Sequence, residues 1–238
     1  MKIKIIYFFL LSVIFFSCQK ELSVENGSGS GGSGGGGGTG GGGSTGACKD
    51  CIYIPMCDGT WYNYNDTILG SAQVIVDTLK YAKDTTISSL TFRKFTSASF
   101  QNNTYTNCTS GVTRVISYNA VGVGGSTVSK IDLTMLKANL AVNGTWTDTI
   151  VNPTGQQVLY TSTIKEKGIS RVVNGKTYTD VIHVYVETGI SVPIIGFIVT
   201  NTSDYYYASG IGLIEAIIND PNSGTVLEHR ALRSYFVP

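Results

Sequence analysis

The chain has 238 residues, 42% of them hydrophobic, and a formal net charge of +1. From Cys48 onward fourteen Lys or Arg balance fourteen Asp or Glu, and a neutral chain without a basic stripe argues against nucleic acid as a partner and against electrostatic docking on anionic lipid. Charged residues make up only 14% while Thr, Ser, Asn and Tyr abound, a composition suited to exposed β-sheet.

At the N-terminus Lys2 and Lys4 precede two apolar runs, Ile5–Leu11 and Val13–Phe16, which end at Ser17-Cys18. A positive start, a short apolar stretch and a small residue make residues 1–17 an export signal. The stretch is too short for a spanning helix. Ser17-Cys18 resembles the cleavage site of bacterial lipoproteins, in which the cysteine becomes the lipidated first residue. Phe15 and Phe16 depart from the usual pattern in a way that resembles lipoproteins of Bacteroidota. The resemblance implies acylation of Cys18, with enough acyl chains for stable anchoring. An ordinary secretory signal followed by a chance cysteine is the alternative. By the same resemblance Gln19, in place of Asp, implies the outer membrane, with the periplasmic or cell-surface face open.

Residues 18–26 then form a lipidated N-terminal segment and residues 27–46 a linker. Gly27–Gly46 consists of Gly, Ser and Thr alone, so it buries no apolar area to offset the entropy of ordering. Such a coil spans about 22–27 Å on average and about 70 Å when stretched. It lacks the lysine and the strand-to-helix setting of a phosphate loop.

Residues 47–238 form one β-rich domain. Apolar residues recur with period two in Gln73–Leu79, where Val74 and Val76 share a side, and again in Gly111–Tyr118, Val158–Ile164 and Thr179–Glu187. Asn174-Gly175, between two such runs, predicts a type I′ hairpin. Asn143-Gly144, Pro153-Thr154-Gly155 and Asn222-Ser223-Gly224 predict further turns. The best helix candidate is Ile131–Ala141, with Leu133, Leu136 and Leu140 at helical spacing, though it reads equally as a strand leading into Trp146. Gly59-Thr60-Trp61 followed by Asp66-Thr67-Ile68 is echoed by Gly144-Thr145-Trp146 followed by Asp148-Thr149-Ile150. Two matching strand starts would mark two halves of one sheet. Gly210-Ile211-Gly212 fits a bent strand. Leu213–Ile218, nearly continuous in apolar residues, fits a strand covered on both faces or lining an apolar concavity. The fold class expected is mainly β: a single curved antiparallel sheet, half-barrel or open barrel, with at most one or two short helices.

Four segments together resemble a family of Bacteroidota lipoproteins of unassigned function. They are Cys51–Gly59, Gly144–Asp148, Asn174–Ile182 and Tyr205–Glu215. The last two also resemble a broader envelope group with a lipoprotein-carrier-like half-barrel. The resemblance implies a curved sheet around an apolar face and an envelope address. Binding of an acyl chain in that face is an analogy that no single residue carries.

Cys48, Cys51, Cys57 and Cys108 remain besides Cys18. In an exported chain they predict two disulfides with three pairings. Zinc and a Cys48–Cys51 redox pair are the alternatives, weakened by the isolation of Cys108 and by the extended Ile52–Pro55 that follows.

No catalytic, metal or cofactor site is predicted. His183 lies in mid-strand as a half-buried residue, His229 at a solvated strand position, and neither a nucleophile elbow nor a metalloprotease motif occurs. Trp61 and Trp146 read as core anchors. Four Asp-Thr steps resemble the acceptor pattern of O-glycosylation in Bacteroidota, which marks Thr67, Thr78, Thr85 and Thr149. The expected function is a non-catalytic binding or scaffold module of the envelope, held to the membrane by lipid and meeting an envelope protein. A carrier of a hydrophobic ligand and a surface glycan binder are the alternatives.

Overall fold

The computed structural model describes residues 51–71, 73–99, 103–121, 127–152, 155–192 and 194–238. The signal, the lipidated segment, the linker and Cys48 lie outside the described residues. The strands are β1 (Trp61–Ile68), β2 (Ile75–Ile87), β3 (Leu90–Ser97), β4 (Asn103–Thr109), β5 (Val112–Val121), β6 (Thr127–Lys137), β7 (Thr145–Val151), β8 (Gln157–Val173), β9 (Lys176–Val192), β10 (Gly196–Ala208), β11 (Gly212–Asn219) and β12 (Val226–Phe236). No α-helix occurs among the described residues.

All twelve strands join one antiparallel sheet in the order β6-β5-β4-β3-β2-β1-β12-β11-β10-β9-β8-β7. Each half of the chain is a six-strand meander, and β1 pairs with β12 to join the halves at the centre. The Gly-Thr-Trp echo opens the first strand of each half. Asp66 lies five residues after Trp61 but Asp148 only two after Trp146. With side chains alternating across a strand, Trp146 therefore shares a face with its aspartate and is buried, whereas Trp61 stays half-exposed.

The sheet curls until its edges, β6 and β7, approach each other and nearly close a barrel. The edges share no backbone ladder. Side chains bridge them: the Trp146 Nε1–H donates to the Thr134 carbonyl at 2.8 Å, and the Asp148 carboxylate accepts from the Thr134 N–H at 2.9 Å. Strand alternation sends Tyr62, Tyr64 and Asp66 inward. Leu136 of β6, Trp146 of β7, Ile182 and Val184 of β9 and Tyr207 of β10 meet in one core cluster, a contact that only the inside of a barrel provides. A second cluster gathers Met56, Tyr62, Tyr64, Phe95, Ile214 and Leu232.

Antiparallel meandering puts alternate connections at opposite ends. At one end Ser88-Ser89, Ser110-Gly111 and Asn174-Gly175 each have both residues at positive φ, the type I′ geometry that matches strand twist. Residues 51–60 cover this same end. The Gly210 N–H donates to the Ile52 carbonyl at 2.6 Å, the Tyr62 hydroxyl to the Pro55 carbonyl at 2.8 Å, and the Tyr53 hydroxyl to Asp180 at 2.9 Å. Burial, then the Asp180 hydrogen bond, push the Tyr53 hydroxyl pKa up to about 12.

Several expectations change. Ile131–Ala141 forms no helix: its first part is β6, paired along β5, and Ala138–Leu140 turn away. Ladder hydrogen bonds to β5 override the leucine spacing. Val74 and Val76 face solvent, and Asp77 takes the inward position between them and Leu79. Ser209–Ile211 is the β10–β11 turn and not a bend within one strand. The apolar run of β11 carries a buried carboxylate, Glu215, at its centre.

Candidate functional site

Two polar clusters sit on opposite faces of the same strands. The inner one surrounds Arg230 of β12. Its guanidinium donates to both oxygens of Asp66 at 2.7 and 2.8 Å and lies 3.5 Å from Asp77 Oδ2. Asp77 Oδ1 accepts from the Ser97 hydroxyl at 2.6 Å, while its Oδ2 has no hydrogen bond. Burial works to lower the Arg230 pKa, and the hydrogen bonds and charge of Asp66 outweigh it, so the group stands above its ordinary value. Burial also pushes the neighbouring Glu228 carboxyl up, against the opposing pull of Arg230. A buried carboxylate needs such a partner, because desolvation of an isolated one costs far more than folding supplies.

The outer cluster brings together both histidines of the chain. His183 of β9 has Nε2 2.7 Å from Asp204 of β10 and Nδ1 3.1 Å from Glu166 of β8. The ring stacks on Tyr206, with centroids 4.5 Å apart. Arg171, from the far part of β8, lies 4.1 Å over the same tyrosine and donates through Nε to Glu215 at 2.7 Å. His229 Nε2 stands 2.9 Å from the other Glu215 oxygen. Tyr206 and Glu215 are buried, whereas the side chains of Glu166 and His229 are 53% and 40% exposed.

This site is absent from the sequence reading. His183 was expected as a half-buried strand residue and is one, but between two carboxylates. His229 keeps 40% of its side chain exposed, in line with a solvated strand position, and caps a buried glutamate. No spacing signal announces the group, since its members come from five strands brought together by register. Its three carboxylates, one guanidinium and two imidazoles hydrogen-bond to one another across this face. His183 and Arg171 occupy Tyr206, so it offers no free platform for a sugar ring. Among the described residues no group of His, Cys, Asp and Glu is arranged to hold a metal.

Of the expected cysteines, Cys51 and Cys108 form a disulfide with Cα atoms 6.0 Å apart. Cys57 is disulfide-bonded as well, and Cys18 and Cys48 lie outside the described residues. The four threonines are scattered. Thr67 and Thr149 are exposed, Thr85 is half-exposed, and Thr78 is engaged with Asn63 at 2.6 Å. The preceding Asp66, Asp77 and Asp148 all point inward and bind Arg230, Ser97 and Thr134. Three of the four Asp-Thr steps thus have a structural reason: an inward acid followed by an outward residue. A pocket between residues 51–54 and Leu136 has a volume of about 20 Å³, room for a water molecule and not for an organic ligand.

The fold and clusters define a class, a twelve-stranded antiparallel barrel with one open edge pair. Two solved structures are similar to this chain. One is a protein of Parabacteroides distasonis ATCC 8503 named as a lipoprotein, at 14% identity and TM-score 0.48, covering 79% of this chain and 100% of that one. The other is from Bacteroides fragilis NCTC 9343, named as an exported protein with a YmcC-like fold, at 9% identity and TM-score 0.46, with the same coverage. No family model and no curated protein matches the sequence.

Proposed function

We propose that the chain is a non-catalytic binding module of the outer cell envelope, tethered to the membrane through acylated Cys18 and left free to turn on the Gly27–Gly46 leash. The observation that carries this reading is the Cys51–Cys108 disulfide. It belongs to an oxidising compartment, and it fastens the segment on which the leash ends to the barrel wall. The interior of the barrel near that end is filled by Tyr62, Tyr64, Trp146 and Tyr207, which favours a presented surface over an enclosed acyl-chain carrier.

The test is fractionation of cells producing the wild-type chain or Cys18→Ala, with intact masses of both. The wild type is expected in the membrane fraction, heavier than the processed chain by its acyl groups, and the variant in the soluble fraction. Equal partitioning and unmodified masses would reject the tether. A lipid that co-purifies under native conditions and leaves on denaturation would replace the binding-module reading with the carrier one.

A further inference from the structure

Among the described residues, the barrel end opposite residues 51–60 carries 69–71 and 73–74 between β1 and β2, 98–99 after β3, 152 and 155–156 between β7 and β8, 194–195 before β10 and 220–225 between β11 and β12. These stretches hold one charged residue, Asp220, and the strand residues flanking them hold none. The β9–β10 hairpin projects furthest in apolar character. Ile194 is 107% exposed, Ile195 71% and Phe197 43%. Val151, at the end of β7, stands exposed on the adjoining connection, and Leu69 and Val74 stand exposed between β1 and β2, beyond the β11–β12 connection that carries Asp220.

Ile194 has φ +73°. It follows Pro193, at a turn position where glycine or asparagine is at ease and a β-branched side chain is strained. Fully exposed and strained, the isoleucine contributes nothing to the fold that a glycine would not improve. An outlier of this kind points to a role outside the fold. Phe197 is fixed by the fold: its ring lies where a Cβ on Gly189 would be, at 2.5 Å, so Gly189 makes room for an aromatic that stays partly in solvent.

We propose that this apolar rim, led by Ile194 and Ile195, docks into the surface of the bilayer that carries the chain's own anchor. The inference rests on the tethered reading above. Projecting apolar tips suit entry into the headgroup–acyl boundary, where the uncharged Ile194-Ile195 tip loses little hydration. Reach is sufficient. Cys18 to Cys51 is 33 residues, about 110 Å when stretched, against about 55 Å along the longest strand. The leash therefore lets the barrel turn its far end to the membrane. The wall is unsuited to lipid, since Lys80, Lys94 and Lys165 are exposed or half-exposed upon it, so contact is confined to the rim. With no Lys or Arg in the rim, docking is independent of salt.

The experiment places tryptophan at Ile195→Trp and, as a control at the opposite end, at Leu90→Trp in the full chain. The probe is vesicles of phosphatidylethanolamine and phosphatidylglycerol with brominated acyl chains. Emission above that of the parent is expected to fall at least twofold for the first variant, equally in 0.1 and 1 M salt, and to stay unchanged for the second. Ile194→Gly is expected to weaken the quenching of Ile195→Trp while its thermal midpoint stays equal or rises, an outcome that a purely structural role forbids. Absence of quenching at 195 with Cys18 acylated overturns the rim alone, because acylation is read separately by mass. If Cys18 carries no lipid, the chain is added to vesicles from solution and the same quenching decides. Self-association that shields position 195 without lipid makes a second copy the occupant and overturns the proposal.

Discussion

At the residue scale the clearest statement concerns buried charge. Asp66 and Arg230 meet inside the barrel with near-ideal fork geometry, and Glu228 sits beside them without an opposite charge of its own. Burial raises the Glu228 pKa above its ordinary 4.5 in the folded chain. The folded state therefore holds that proton more tightly than the unfolded state, and stability falls as pH climbs through the range above 4.5. Glu228→Gln removes the loss. The variant is expected to be more stable than the parent in urea titrations at pH 7, with the difference shrinking to nothing below pH 4.5. A parent that is the more stable at neutral pH would show that Arg230 dominates Glu228 after all.

At the scale of elements the open edge is the feature to test. Thr134 of β6 gives its N–H to the Asp148 side chain and its carbonyl to Trp146, so side chains do what a ladder does elsewhere. Asp148→Ala leaves that N–H without its acceptor. Its hydrogen exchange is expected to quicken at least tenfold while amides of β9 and β10 keep their rates; unchanged protection at Thr134 would mean that the edge is held by something else. Elements were readable where the signal is local. Asn174-Gly175 announces its hairpin because two residues of positive φ suffice, and the Gly-Thr-Trp echo marks both half-sheets. The same logic misses Ser88-Ser89, a turn of the same geometry without its usual residues. It also misplaces Leu133, Leu136 and Leu140, whose spacing obeys helix and strand alike until β5 supplies hydrogen bonds. The His183 cluster is illegible for a further reason. Glu166, His183, Asp204, Glu215 and His229 share a patch only through register, and bulges in β8 shift that register three times.

For the whole molecule the covalent link matters most. The Cys51–Cys108 disulfide spans 57 residues of sequence and closes β1 to β3 and most of β4 into one loop. Loop-closure entropy in the unfolded chain is worth about 4 kcal/mol for that length. Cys51→Ser/Cys108→Ser is expected to lose stability on that scale, measured by urea midpoint, with the folded far-ultraviolet signature retained. An unchanged midpoint would mean that contacts such as Ile52 with Gly210 already hold the segment. Sheet order adds to the dependence, because β1 has no partner on one side until β12, the last strand, is made.

The same bridge acquires a mechanical meaning once the leash is pulled. Tension arriving at Cys51 does not peel β1 from β2 and β12, since the sulfur link passes it directly to Cys108 in β4. About 190 Å of chain between the two cysteines is thereby removed from the length that a pulling force can draw out. In a chain tethered as proposed, load on the leash would meet a covalent shackle first, and β1 to β3 would stay out of the line of force.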